Sequence, residues 1–337
     1  MSPRIDPDLT VLERPRLARE TCPDLAAARV GGKAQMLHRI ECGGLPSACE
    51  AQAPLRVVFW NVERGHAPED LASFLIDAGA DVALLCELDH GLARTGRRHV
   101  ARDISHGMDV SYAYAVEFLE LDEVGEPGLH GNAVLSRATI RDPLLIRLAE
   151  DTSWMTRPGQ QRRLGSRIAL AGRIAVEGLD VVLVSTHLES HAGPDERARQ
   201  MCALLDAVDG YAGDAPVLIG GDFNTRTASK DAMRDAEARN GLYERVATAF
   251  VDPAPWEPLF DIARAAGYSW SSANLDLATE RSGPDDPRAP RFRLDWFFAR
   301  GLECHAPGNL CAETGSGGAL SDHDAIYVEI RVPDRRS

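Results

Sequence analysis

The residues of this chain best suited to chemistry are carboxylates, carboxamides and histidines that sit at the ends of apolar runs. Asn61 follows "VVFW", Glu87 follows "VALLC", His187 follows "VVLVST", and Asp222 and Asn224 follow "VLIGG". Asp295 lies within "RLDWFF", and Asp322 and His323 come just before "AIYVEI". Carboxylate and amide oxygens are the ligands that a hard cation such as magnesium prefers, while a carboxylate or imidazole beside it can take a proton or donate to a developing anion. In "GGDFNT" the alternation of an extended segment predicts that Asp222 and Asn224 point the same way and that Phe223 enters the core. Such groups act together only if the strand ends that carry them meet on one rim.

The elements that would bring them there alternate along the chain. Residues 55–61 read as a strand, 68–80 as a helix with apolar residues at helical spacing, and 81–88 as a second buried strand. Residues 93–105 read as helical and 109–121 and 131–137 as strands, and 166–176 with 179–188 form a hairpin. A helix over 194–210 leads to the apolar run 215–224, then to a helical and irregular region ending near 267. The closing strands are 291–300 and 325–332. Residues 271–290 are rich in Ser, Asp, Pro and Gly and read as a long loop whose base lies near the strand that bears Asp295. The pattern is an α/β layer structure: one domain over 53–333 behind an irregular N-terminal arm, 1–52.

Composition narrows the partners. The 337 residues carry a net charge of −14, and Lys33 and Lys230 are the only lysines. A general nucleic-acid binder spreads basic charge over its contact face, so this balance speaks against one while leaving room for a local arginine cluster. The N-terminal twenty residues are charged throughout, and no run approaches the roughly 18 apolar residues of a membrane span. Seven scattered cysteines without a C-x-x-C pair suit a reduced, cytoplasmic chain with buried free thiols.

In order, "WNVERG", "LLCELD", "GNAVLSR", "STHLES", "GGDFNT", "LDWFF" and "SDHDA" resemble the successive motifs of the endonuclease/exonuclease/phosphatase superfamily, the group related to pancreatic deoxyribonuclease. The resemblance implies a four-layered α/β sandwich, two mixed β-sheets packed face to face with helices outside. It also implies hydrolysis of phosphate esters with a divalent metal, usually Mg2+, with Mn2+ as a substitute. On the matching positions, Glu87 would be the chief metal ligand, with Asn61 assisting and Asp322 completing or supporting the shell. Asp222 would activate water beside Asn224, His323 would donate to the phosphate with Asp295 fixing its tautomer, and His187 would donate from the opposite side. Arg162 or Arg163 would bind phosphate, and Asn132 would line the pocket or hold a loop.

Glu63, Asp89, His90, His191 and Asp324 neighbour these motifs without an assigned role, and solvation is expected for them. Trp154 and Trp270 either stack on a substrate ring or pack under loops. The family spans nucleases and small-molecule phosphoesterases. The acidic, lysine-poor composition favours a small or soluble phosphoester over DNA or RNA, and a catalytically inactive scaffold is a third reading.

Overall fold

The computed structural model describes residues 31–46, 48, 50–121, 125–148, 163–225, 252–281, 292–313 and 318–333. In chain order the strands are β1 (Ile40–Gly43), β2 (Leu55–Arg64), β3 (Val82–His90), β4 (Ser111–Leu121), β5 (Pro127–Ser136), β6 (Arg141–Arg147), β7 (Arg163–Gly165), β8 (Ile168–Val176), β9 (Leu179–His187), β10 (Val217–Asp222), β11 (Asp295–Arg300), β12 (Glu303–Leu310) and β13 (Ala325–Arg331). The α-helices are α1 (Pro68–Asp77), α2 (Val100–Met108), α3 (Pro194–Ala212) and α4 (Leu259–Ala265).

The run "LRVVFW" is apolar at nearly every position because β2 is covered on both faces. Leu55, Val57 and Phe59 face the second sheet, whereas Val58, Trp60 and Val62 pack under α1 and α2. The larger sheet runs β1-β4-β5-β3-β2-β13-β12, with β7 paired to β4, and the smaller runs β11-β10-β9-β8-β6. Both are mixed, since β2 and β3 pair in parallel, as do β9 and β10, among antiparallel neighbours. Between the sheets lie Phe59, Leu84, Leu183, Leu218 and Phe297, and α3 and α4 cover the far face of the smaller sheet through Met201, Leu204 and Phe260. Helix, sheet, sheet and helix make four layers, as the resemblance implied. Gly220 keeps the sheets close where β10 crosses β2, because a Cβ there would lie 2.9 to 3.1 Å from Phe297, Leu84 and Phe59.

The strand ends are bent rather than straight. Register shifts interrupt the β2/β3 pairing between Asn61 and Arg64 and the β3/β5 pairing between Leu85 and Leu88. Glu63, Arg64 and Glu87 all take positive φ there, at 43°, 71° and 59°. Non-glycine residues persist in that region only when their surroundings fix them, and such bulges re-aim side chains at sheet rims. Gly131 lets β5 follow the bend, since a Cβ would fall 2.0 Å from the Ala115 carbonyl oxygen.

Several expectations change. The arm is not irregular throughout, because Ile40–Gly43 joins the larger sheet as β1 and residues 31–38 form a 3-10 helix. Strand β12 escaped the sequence reading because it is an edge strand in which only Gly308 is buried. Asp89 is not solvated: it is fully buried, bound by both Nε and Nη2 of Arg94 at 2.6 and 2.8 Å. Asp324 is likewise held by Arg281 at 2.8 Å. Trp270 packs against Phe260 and Phe298 under α4, which is the packing alternative. Of the free cysteines, Cys86 is buried, whereas Cys42, Cys202 and Cys311 are exposed. Trp154 and all of 226–251 fall outside the described residues.

The outer layer of the smaller sheet is tied by one buried ion pair, in which Arg197 of α3 meets Glu257 ahead of α4 through Nε (3.1 Å) and Nη2 (2.5 Å). Removing one partner strands the other charge in the interior, a loss of about 3–5 kcal/mol. Glu257→Leu is therefore expected to lower the urea midpoint strongly at an unchanged slope. An unshifted midpoint would mean that the pair contributes nothing net.

Candidate active site

Strands from both sheets deliver their polar ends to one place, and Asp222, at the end of β10, is its centre. Its Oδ2 accepts a hydrogen bond from Asn61 Nδ2 (3.1 Å) and lies 3.4 Å from His187 Nε2 and 3.8 Å from His323 Nε2. Its Oδ1 accepts from the Asn224 backbone N–H at 2.9 Å. Asn224 adopts φ 49°, so the extended backbone ends at Asp222; its own side chain donates to the Leu188 carbonyl at 3.0 Å, while Phe223 is fully buried as expected. Burial, and then the charge of Asp295, push the Asp222 carboxyl pKa up, only partly offset by His323.

The two histidines carry opposite charge states for identifiable reasons. Arg167 Nη1 lies 2.9 Å from His187 Nδ1, and a guanidinium only donates, so Nδ1 accepts and Nε2 bears the proton. Burial and the Arg167 charge hold the His187 pKa well below its ordinary value, so the ring stays neutral with its N–H aimed at Asp222. In His323, Nδ1 lies 2.8 Å from Asp295 Oδ2. Burial works against its charged form, but Asp295, aided by Asp222 and Asp322, more than reverses this and lifts its pKa well above the ordinary value. The result is an imidazolium whose Nε2–H faces Asp222.

Backbone contacts place these rings. Ser321 donates to the Asn61 carbonyl (2.7 Å) and accepts the His323 N–H (3.1 Å), and Trp60 Nε1 donates to the His323 carbonyl (2.9 Å). Thr279, in the segment read as a loop, accepts the Leu294 and Asp295 N–H groups at 3.0 and 3.1 Å. Glu280 forms a bridge with His323, so the first half of that loop braces the site.

Glu87 sits beside this group. Its Oε1 is 3.4 Å from Asn61 Nδ2, and its Oε2 accepts from Arg64 Nη1 at 2.6 Å. Burial alone would favour the protonated acid, but Arg64 foremost, with Arg167 and His323 behind it, brings the Glu87 pKa down to about 2. Asn61 Oδ1 accepts the Glu63 N–H at 3.1 Å and keeps a second lone pair. Asp322 lies on the rim with 57% of its side chain exposed. Asp295 Oδ1 is buried with no hydrogen-bond partner among the described residues. An ionised carboxylate, an amide oxygen and further carboxylate oxygens fit a hard divalent cation.

The phosphate-binding candidates fare differently. Arg162 lies outside the described residues. Arg163 donates to Glu189 Oε2 at 2.9 Å and stacks over the Phe118 ring at 3.8 Å, so its charge is already matched. Asn132 is fully buried and its Nδ2 is 3.4 Å from the Ile168 carbonyl. Arg64, Arg167 and Thr279 belong to the site but were not singled out from the sequence. Arg64 stands within "WNVERG", which was a signal available to be used.

Away from this centre, Glu41, His90 and His99 also place ligand-type atoms within 4.8 Å of one another. There His99 Nδ1 accepts the Arg102 N–H at 3.3 Å as the cap of α2, so Nε2 carries the proton toward Glu41, 2.9 Å away. That tautomer makes a hydrogen-bonded brace rather than a metal ligand.

Known proteins share this fold. The chain resembles an endonuclease/exonuclease/phosphatase from Beutenbergia cavernae DSM 12333 at 18% identity, over 82% of this chain and 71% of that one, with a TM-score of 0.57. It resembles the human nocturnin catalytic domain with bound sulfate anion at 14% identity, over 87% and 97%, with a TM-score of 0.55. A mannosyl-6-phosphatase from Bacteroides thetaiotaomicron VPI-5482 is similar at 13% identity, over 82% and 99%, with a TM-score of 0.54. No curated protein matches the chain in sequence. No helix among the described residues is long and apolar enough to cross a membrane. The profile of the Endonuclease/Exonuclease/phosphatase family matches residues 58–323, and with both sheets and the polar strand ends in place the chain belongs to that family of metal-dependent hydrolases of phosphoester bonds.

Proposed function

We propose that the chain hydrolyses a small or soluble phosphoester with activated water, and that residues 53–333 form its catalytic domain. The observation that carries this reading is the convergence of Asn61, His187 and His323 on Asp222 Oδ2 within 3.8 Å. Glu87, Asn61 and Asp322 would hold Mg2+, or Mn2+ in its place, and the bound ion would supply positive charge to the phosphate oxygens. The raised pKa of Asp222 suits a carboxylate that takes a proton from water. In that step the water oxygen bonds to phosphorus, its proton passes to Asp222 and the bond to the leaving oxygen breaks. His187, neutral, donates its Nε2–H to a phosphoryl oxygen without giving the proton away, and His323 offers a full positive charge from the other side. Asp295 keeps His323 in that orientation, and Asn224 fixes Asp222 through its backbone N–H.

Charge supports the small substrate over long nucleic acid. Around the site Arg163 and Arg167 are matched to Glu189 and Glu117, and Arg94 to Asp89 and Glu120. Among the described residues this pairing leaves no row of open guanidinium groups, and the chain carries a net charge of −14. The five cysteines among the described residues are free, which suits a reducing compartment such as the cytoplasm.

The decisive experiment is a panel of plasmid DNA, RNA, phospholipid head-group diesters, inositol phosphates, sugar phosphates and nucleotides, with magnesium or manganese. Turnover of soluble small esters and none of polymers is expected. Replacing 282–290 by a few Gly and Ser residues, while keeping the bracing Thr279 and Glu280, should spare small-ester turnover and raise any cleavage of DNA. Preferred cleavage of DNA or RNA by the unaltered protein would establish a nuclease instead.

A further inference from the structure

Among the described residues, Arg64 is the one arginine that both touches Glu87 and reaches the rim. It follows Glu63 in a bulge of two consecutive positive-φ residues, and 29% of its side chain is exposed against 13% for Arg163 and 6% for Arg167. Its Nη1 serves both Glu87 Oε2 (2.6 Å) and His130 Nε2 (3.0 Å). Because a guanidinium cannot accept, His130 Nε2 must, and the ring proton then resides on Nδ1, 2.9 Å from Asp89 Oδ1. Asp89 is in turn clamped by Arg94, and Arg94 also binds Glu120. A buried chain of charges and hydrogen bonds thus fixes one edge of Arg64. Among the described residues its Nε and Nη2 donors have no acceptor.

We propose that Arg64 is the phosphate-binding cation of this site, its Nε and Nη2 donors taking non-bridging oxygens of the ester while Nη1 stays on Glu87 and His130. The assignment deepens the phosphoester reading and rests on it. A planar fork with one nitrogen anchored and its remaining donors open matches a tetrahedral oxyanion, and strain is retained where the surroundings hold a side chain in a required direction. The same position sets Arg64 against the metal: a cation touching Glu87 competes for that carboxylate with any divalent ion. Phosphate binding and metal binding should therefore move in opposite directions when the charge is removed.

The test uses the full chain with Arg64→Met and Arg64→Lys. Inorganic phosphate binding is measured by calorimetry with magnesium present, Mn2+ binding without phosphate by electron paramagnetic resonance, and KM with an aryl phosphomonoester and an aryl phosphodiester. Arg64→Met should weaken phosphate and raise KM by about tenfold to a hundredfold, the scale of a charge-assisted hydrogen bond, while Mn2+ binds equally or more tightly. Arg64→Lys, which keeps the charge without the fork, should fall between Met and wild type. Unchanged phosphate affinity in Arg64→Met would overturn the assignment. Parallel weakening of phosphate and Mn2+ would overturn it too, because that is the signature of a residue that only shapes Glu87. If the wild type turned over neither ester, the function would be wrong, yet the two binding measurements would still decide the role of Arg64.

Discussion

Asp222→Asn is expected to lower turnover by about a hundredfold or more, the usual scale for one general base, while leaving substrate affinity nearly intact. The geometry makes Asp222 the one carboxylate that faces both imidazoles and an amide donor, so its replacement removes the only shared proton acceptor of that cluster among the described residues. His323→Ala should cost a similar factor, since it deletes the imidazolium on the other side of the same water and phosphate. Because the two act on one transition state, the double variant should lose much less than the product of the single losses, and fully multiplicative losses would show that they do not cooperate.

The same substitution has a stability readout. The folded-state pKa of Asp222 is raised, so its contribution is present below the unfolded value and is lost as pH rises through the folded one. At neutral pH an isosteric Asn avoids that loss, and Asp222→Asn should unfold at a higher temperature in metal-free buffer even as it loses activity. Activity of the wild type should fall as pH drops through the raised value, when the base becomes protonated. A variant that lost stability and activity together would point to a structural Asp222.

Glu87→Gln is expected to weaken the response to added metal strongly. Turnover should cease in excess chelator and return with magnesium or manganese in the wild type, whereas the Gln variant should need at least tenfold more metal and stay about a hundredfold slower. Gln keeps one acceptor oxygen for Arg64 and gives up only the longer contact with Asn61, whose Nδ2 still reaches Asp222, so folding should be affected far less than metal response. The Glu87 pKa of about 2 lies below the ordinary value, so its stabilisation is present at neutral pH and is lost only as pH falls toward 2. Full activity of the wild type in excess chelator would sink the metal requirement.

The sequence by itself determined the layers and the identity of the polar groups at their ends. An apolar run such as "VVFW" or "VLIGG" is long enough only for a strand covered on both faces, and where water begins the residue type must change. Asn61, Glu87, His187 and Asp222 were legible for that reason. Weakly patterned edge elements were not: β1 and β12 are short of buried apolar residues, so no apolar period marks them, and β1 pairs with a strand about seventy residues away. Charge states also escaped the sequence. That His187 is neutral and His323 charged depends on Arg167 and Asp295, residues 20 and 28 positions away that only the folded sheets bring into contact. Asp89 and Arg163 looked like solvated or substrate-facing groups, yet the interior claims both because Arg94 and Glu189 arrive to match their charge. Arg64 shows the division most sharply. Its type is written in the motif, but its direction is set by a bulge and by His130, and backbone twist and long-range contacts are properties of the tertiary structure alone.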